Sequence, residues 1–143
     1  MNKVAELSRL HTAGHLIGLA IKHLGLPLMS RQSHHLPGES YVECKGDIDE
    51  NRKEEIKTAI EEEVNKLIAE NKPIVERVQL VEMCPSIPYQ VPNDKPMRVV
   101  IVEGEAGIPC GESHVCVTSQ IGRVIINEIS TKNGNVRICY SLN

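Results

Sequence analysis

Between Val4 and Leu24 the apolar residues return every three or four positions, at Val4, Leu7, Leu10, Ile17, Ile21 and Leu24, with Gly14 filling the gap. The same period governs Ile56, Ile60, Val64, Leu67 and Ile68. Beyond Ile74 it is gone, and β-branched runs take its place. A chain patterned in this way is restricted to two helices, each with a buried stripe, followed by strands with little helix between them. The spacing therefore predicts an α+β fold in a single domain over 1–143, a mainly antiparallel sheet packed with two main helices.

Local signals sharpen this outline. Gly25 and Pro27 end the first helix. From Ser40 to Lys45, Tyr41 and Glu43 alternate with Val42 and Cys44, the period of a half-buried strand, after a turn at Pro37-Gly38. Asp47 to Asn51 leads into the second helix, whose far face carries Glu54, Glu61, Glu62 and Lys66; the run Glu61-Glu62-Glu63 reads as a solvated face. Strands are expected at Ile74 to Val81 and at Arg98 to Val102. Between them, Tyr89 to Lys95 is rich in proline and polar residues and reads as a loop, a candidate mobile lid. Val124 to Ser130 and Val136 to Leu142 flank Lys132-Asn133-Gly134, where Asn-Gly is a hairpin signal.

With 143 residues the chain can bury a core without staples. That core has to be aliphatic, because there is no Phe, no Trp and three Tyr, at 41, 89 and 140. The same shortage removes stacking platforms for single-stranded nucleic acid. A formal charge of −3 removes binding by bulk electrostatics and leaves weak or local nucleic-acid contacts. The five cysteines, Cys44, Cys84, Cys110, Cys116 and Cys139, are odd in number and follow no framework spacing, which points to a reducing, cytoplasmic setting. Glu6, Arg9 and Lys22 interrupt the amino-terminal stretch, so it lacks a signal peptide's apolar run, and no segment is long enough to span a bilayer.

Two motifs share one spacing, His11-Thr-Ala-Gly-His15 and Cys110-Gly-Glu-Ser-His114. On a helix the first pair puts both imidazoles on one face, a turn apart. The second sits in Gly107-Ile-Pro-Cys110-Gly-Glu-Ser-His114, where glycines and proline argue for a tight loop able to reach toward a helix. Alone, each pair is commonplace. Together, His11, His15, Cys110 and His114 make a nitrogen-and-sulfur set that suits Zn²⁺ rather than Ca²⁺ or Mg²⁺. His23, in the helix tail, and the consecutive His34 and His35 are read as non-ligands, with His34 the nearest to an exception. A metalloprotease is disfavoured, because Thr12 stands where His-Glu-x-x-His places its general base.

The order of these motifs resembles a known family. Arg9-Leu10-His11-Thr12-Ala13-Gly14-His15-Leu16-Ile17 is similar to the His-Thr-Ala-x-His-Leu-Leu of the second additional domain of alanyl-tRNA synthetase and of its free-standing AlaX-type editing relatives. Pro109-Cys110-Gly111-Glu112-Ser113-His114-Val115 resembles Pro-Cys-Gly-Gly-Thr-His-Val, and Thr118-Ser119-Gln120-Ile121-Gly122 looks like the Thr-Ser-Glu-Ile-Gly that follows it. The likeness spans nearly the whole chain and points to the short, trans-acting class. It implies a fold like the editing domains of threonyl- and alanyl-tRNA synthetases, and a zinc-dependent, ATP-independent hydrolase of the ester joining a wrong amino acid to tRNA. The implied substrate is serine on alanine tRNA, with glycine after it.

Within that frame the four metal ligands include the two residues assigned catalytic parts, His11 and Cys110. Four protein ligands would close the site, whereas a catalytic zinc keeps one position open. Two roles for the ion stay open: acidifying water at a displaced ligand position, or holding the terminal ribose or the amine. A hydroxyl-recognising group is needed to prefer serine over alanine. Relatives place a threonine in the segment after the first helix; here it reads Leu28 to His34 with no threonine, leaving Ser30, Gln32 and Ser33 as substrate-binding candidates. Gly122 is assigned close approach to the terminal adenosine. Glu112 and Gln120 also depart from the family pattern. Lys22, Arg31, Arg123, Lys132 and Arg137 are candidates for tRNA phosphates. The rival expectations are editing of serine on threonine tRNA, and a non-catalytic zinc-binding module for RNA or protein.

Overall fold

The first helix forms where the three-four period requires it, and glycine stops it. In the computed structural model, which describes residues 3–34, 36–80, 96–105, 108–109, 114–132 and 134–143, α1 runs from Lys3 to His23. Gly25 takes φ 65°, its N–H bonds to Lys22 O at 3.1 Å, and Leu26 N–H reaches back to Ile21 O at 3.1 Å. This is a Schellman ending, which satisfies carbonyls that a terminating helix would leave bare.

Burial of α1 exceeds a stripe. Leu10, Ala13, Leu16, Ile17, Leu19, Ala20 and Ile21 are all buried, and so are Ser8, His11 and Thr12. Leu7 and Leu24, expected on the buried stripe, are exposed. A helix covered nearly all round is one packed from several sides. Here α2 (Lys53–Ala69), the strands β1 (Leu28–His34) and β2 (Tyr41–Gly46), and a 3₁₀ turn at Thr118–Ile121 all pack against it. The expected buried positions of α2, Ile56, Ile60, Val64, Leu67 and Ile68, are buried. Asp49 accepts a bond from Asn51 N–H in the short 3₁₀ turn that leads into α2.

The remaining strands are β3 (Ile74–Leu80), β4 (Pro96–Val102), β5 (Ile108–Pro109), β6 (Val124–Lys132) and β7 (Asn135–Leu142). All pairings are antiparallel, and they divide into two sheets, β1-β2-β7-β6 and β3-β4-β5. The α+β expectation holds, with its strands shared between two sheets. Val42, Cys44, Val136, Ile138, Tyr140, Val124, Ile126 and Ile129 turn the inner face of the larger sheet into the aliphatic core. The β6–β7 hairpin closes as the Asn-Gly signal predicts, pairing Lys132 with Asn135 and placing Gly134 at φ 78°.

The strand β1 was not expected from the sequence. Its residues, Met29-Ser-Arg-Gln-Ser-His34, lack apolar alternation, and β2 supplies the ladder that orders them at the sheet edge, with an irregularity between Ser30 and Gln32. Val81 and the candidate lid at Tyr89 to Lys95 lie outside the described residues. Among the described residues no helix is long and apolar enough to cross a membrane.

The acidic run of α2 is a correction to the solvated-face expectation. Glu62 is exposed, but Glu61 accepts the Ile126 N–H at 2.8 Å. One turn on, Asn65 accepts the Val124 N–H at 3.0 Å and donates to Val124 O at 2.9 Å. Two side chains of one helix face thus occupy the edge of β6, which otherwise invites pairing with another chain. Glu63 faces His23 Nδ1 at 3.7 Å, and His23 Nε2 meets Glu105, so the helix-tail histidine ties α1 to α2 and to the turn after β4.

Asn65→Ala, which strands both Val124 groups, is expected to destabilise the protein by about 1–3 kcal/mol in denaturant unfolding. Burial, and then the neighbouring Glu43 charge, pushes the Cys44 thiol from its ordinary 9.0 up to about 12. Because the folded value is raised, Cys44's contribution to stability is full below pH 9.0 and is lost as pH climbs toward about 12. In native protein at pH 8, a thiol reagent is expected to label exposed Cys116 at once and Cys44 only on unfolding.

Candidate metal centre

The helix α1 carries His11 and His15 one turn apart, and the segment before the 3₁₀ turn brings His114 up to them. Ring centroids are 5.0 Å apart for His11 and His15, 4.3 Å for His11 and His114, and 4.8 Å for His15 and His114. One ligand nitrogen from each ring lies within 4.8 Å of the others. A tetrahedral zinc with Zn–N of about 2.0–2.1 Å sets its nitrogens roughly 3.3 Å apart. His11 is 6% exposed, His15 and His114 are half-buried, and both ring nitrogens of His114 are shielded from solvent. The donor set and spacing fit a divalent transition metal.

Cys110, expected as the fourth ligand, lies outside the described residues, as do Glu112 and His35. His23 and His34, read as non-ligands, are not members of the His11, His15 and His114 group. His34 stacks on Tyr41 at 5.3 Å, with Glu39 3.9 Å from its Nε2.

The substrate candidates fall on β1 at the sheet edge, with Ser30 opposite Cys44, Gln32 opposite Glu43 and Ser33 opposite Val42. The description does not extend to the side chains of Ser30, Arg31, Gln32 and Ser33. Gly122 ends the 3₁₀ turn at φ 88°, and a Cβ there would meet the Arg9 guanidinium at 3.1 Å. Its visible part is therefore that of a turn residue packed under α1.

The basic candidates do not gather into one patch. Arg123 and Lys132 bracket β6, about 30 Å apart along an extended strand. Lys22 is exposed near the end of α1. Arg137 lies over the Tyr41 ring at 4.0 Å and bonds to Glu43 at 3.2 Å, so its charge is already engaged.

Several residues beside the ligands turn out to frame the site. Arg9 donates twice to Ile121 O, at 3.0 and 2.8 Å, and Tyr140 OH donates to Leu10 O at 2.7 Å. Thr118 Oγ1 donates to Leu67 O at 2.9 Å and accepts from Lys72 N–H at 2.8 Å. Gln120 Oε1 accepts from Cys116 N–H at 2.8 Å and Val117 N–H at 3.3 Å. The accepting oxygen is the group that glutamate would also present, so glutamine keeps the local bonds. The only forewarning in the sequence was that Thr118 to Gly122 follows the second histidine motif so closely.

No protein-family model and no curated protein matches this chain. Its functional reading accordingly stands on the motifs and on the histidine cluster.

The cluster is expected to bind a single Co²⁺ or Zn²⁺ per chain in isothermal titration. His11→Ala, His15→Ala and His114→Ala should each abolish that binding while far-UV circular dichroism remains that of the parent.

Proposed function

We propose that this protein is a zinc-dependent aminoacyl-tRNA deacylase that acts in trans on serine-charged alanine tRNA, with glycine as a second amino acid. The observation that carries the reading is the meeting of His11 and His15 with His114, residues from opposite ends of the chain that fall in two separate motifs of the family it resembles. Three nitrogen donors are the protein share of a catalytic zinc, which keeps a further position for water or substrate. Zinc bound there supplies Lewis acidity at the ester carbonyl and acidifies water.

The chain's own residues do the rest. His11 is held on a buried helix, so its ring is fixed before substrate arrives, and preorganisation of this kind lowers the cost of aligning a reaction. Deacylation needs no ATP, because hydrolysis of the ester linkage is itself downhill. Preference for serine requires a polar group that bonds its hydroxyl, since an apolar slot discriminates poorly between side chains that differ by one hydroxyl. Ser30, Gln32 and Ser33 on β1, which packs beside α1, are the proposed sources. Cys110 is the proposed fourth ligand or its displaceable partner. The proposed partner is the acceptor end of tRNA, met through local contacts such as Arg31, Arg123 and Lys132, and the proposed setting is the cytoplasm.

Incubation with serine-charged and alanine-charged alanine tRNA, with and without chelator, tests this directly. The expected result is loss of serine alone, stopped by chelator and restored by zinc. Serine-charged threonine tRNA forms a further arm, and faster loss there would reassign the tRNA. If all esters survive while zinc is bound, the hydrolase reading fails and the zinc-binding interaction module takes its place.

A further inference from the structure

Between the two histidines of the first motif sits a side chain that coordinates nothing, yet is completely buried. Thr12 is 0% exposed. Its hydroxyl proton goes to Ser8 O at 2.7 Å, one turn back along α1. A lone pair of the same oxygen takes the Val115 N–H at 3.1 Å. A hydroxyl carries a single donor hydrogen and two acceptor sites, so the two contacts use different capacities and do not compete. The backbone donor at Val115 belongs to the residue next to His114, and the Val115 side chain packs on the core.

We infer that Thr12 is a positioning residue for the metal centre: its hydroxyl fastens the segment carrying His114 to the helix carrying His11 and His15, and so sets the distance between the ligand groups. The inference rests on the metal-binding part of the reading above and adds a residue to it. The three rings come from two pieces of chain that nothing in the sequence holds together. Arg9 to Ile121 O and Tyr140 OH to Leu10 O also anchor α1, but they do so away from the residue beside His114. Thr12 is the described contact in which one side chain sits between both first-motif ligands and grips the peptide that leads out of the third. Its place in the motif then has a physical reason: a carboxylate there would bring charge into a fully buried slot, and an alanine would leave the Val115 N–H with no acceptor.

The chemistry also says which replacements should work. Serine keeps the hydroxyl and gives up a methyl. Valine keeps the shape and gives up the acceptor, leaving a donor facing a methyl group. Cysteine keeps the volume with a weaker acceptor and should fall between them.

Co²⁺ titration of the full chain, followed by its visible d–d absorption and by thermal melting, tests the inference. Thr12→Val is expected to weaken Co²⁺ binding by about 10- to 100-fold, the range for groups that orient metal ligands, and to change the d–d band shape. Thr12→Ser should bind within about twofold of the parent, the noise between independent sites. If Thr12→Val does not fold, Thr12→Cys replaces it, with an intermediate loss expected. Asn65→Ala is the control, since it removes the bonds between α2 and Val124 of β6 and leaves α1 and the segment from 114 to 121 with their own bonds; it should lower the melting temperature and leave the Co²⁺ affinity and spectrum unchanged. Parental binding by Thr12→Val or its cysteine substitute would overturn the inference, and so would an equal loss in Asn65→Ala or in Thr12→Ser. A parent protein that binds no Co²⁺ would instead remove the metal reading itself, and the inference with it.

Discussion

The burial of α1 is the constraint on which the rest of this molecule depends. A helix covered on nearly every side loses water along its whole length, so each polar group it carries needs a protein partner. Ser8, His11 and Thr12 are all in that position. The surrounding elements answer with bonds of long sequence reach: Thr12 with Val115, Arg9 with Ile121 O, and Leu10 O with Tyr140 OH. These contacts do two things at once. They satisfy the helix, and they bring the chain's last third against its first turns. The histidine cluster is a product of that docking, because His114 reaches His11 and His15 only when the segment from 114 to 121 lies along the helix.

Around α1 the larger sheet and α2 complete the enclosure, and polar bonds supplement the aliphatic core that the two share. Glu61 and Asn65 give the edge of β6 the partners that a further strand would have provided. The 3₁₀ turn at Thr118–Ile121 does comparable work on the other side, with Thr118 fixed to the end of α2 and Ile121 set into the core. Its neighbour Gly122 is glycine for two reasons that can be named: the backbone turns at φ 88°, and the Arg9 guanidinium fills the space a side chain would need. The third motif thus has a structural account independent of any substrate.

What was legible in the sequence followed from period and from local turn chemistry. Five apolar positions of α2, the alternation of Val42 and Cys44, the stop at Gly25 and the Asn-Gly hairpin each depend on residues a few positions apart. The placement of His11 and His15 on one face of α1 was legible for the same reason. What was not legible came from distant partners. Strand β1 has no pattern of its own and exists because β2 pairs with it. Glu61 looks like any acid in an acidic run until β6 arrives beside it. Leu7 and Leu24 keep the helical period of the expected stripe, yet both are exposed. Thr12 was noticed for the glutamate it is not, and its hydroxyl bond to Val115 was invisible without the fold.

These two kinds of residue divide the proposed chemistry in a physically sensible way. Metal ligands must hold a fixed geometry, and the histidines that could hold an ion lie on the enclosed helix α1 and on a segment bonded to it. The proposed amino-acid-recognising residues lie instead on β1, an edge strand with an irregular register, held on one side by β2 alone. An edge strand can exchange polar side chains without disturbing the core, because its neighbours along the free edge are not other strands. Among the departures from the pattern this chain resembles, serine and glutamine in place of threonine sit on that tolerant element and Gln120 sits in the 3₁₀ turn, while the first histidine pair sits on the intolerant helix. If the deacylase reading holds, reaction class and amino-acid preference are therefore carried by separable parts of the fold, and changes at Ser30, Gln32 or Ser33 would alter which ester is chosen while leaving the metal site intact.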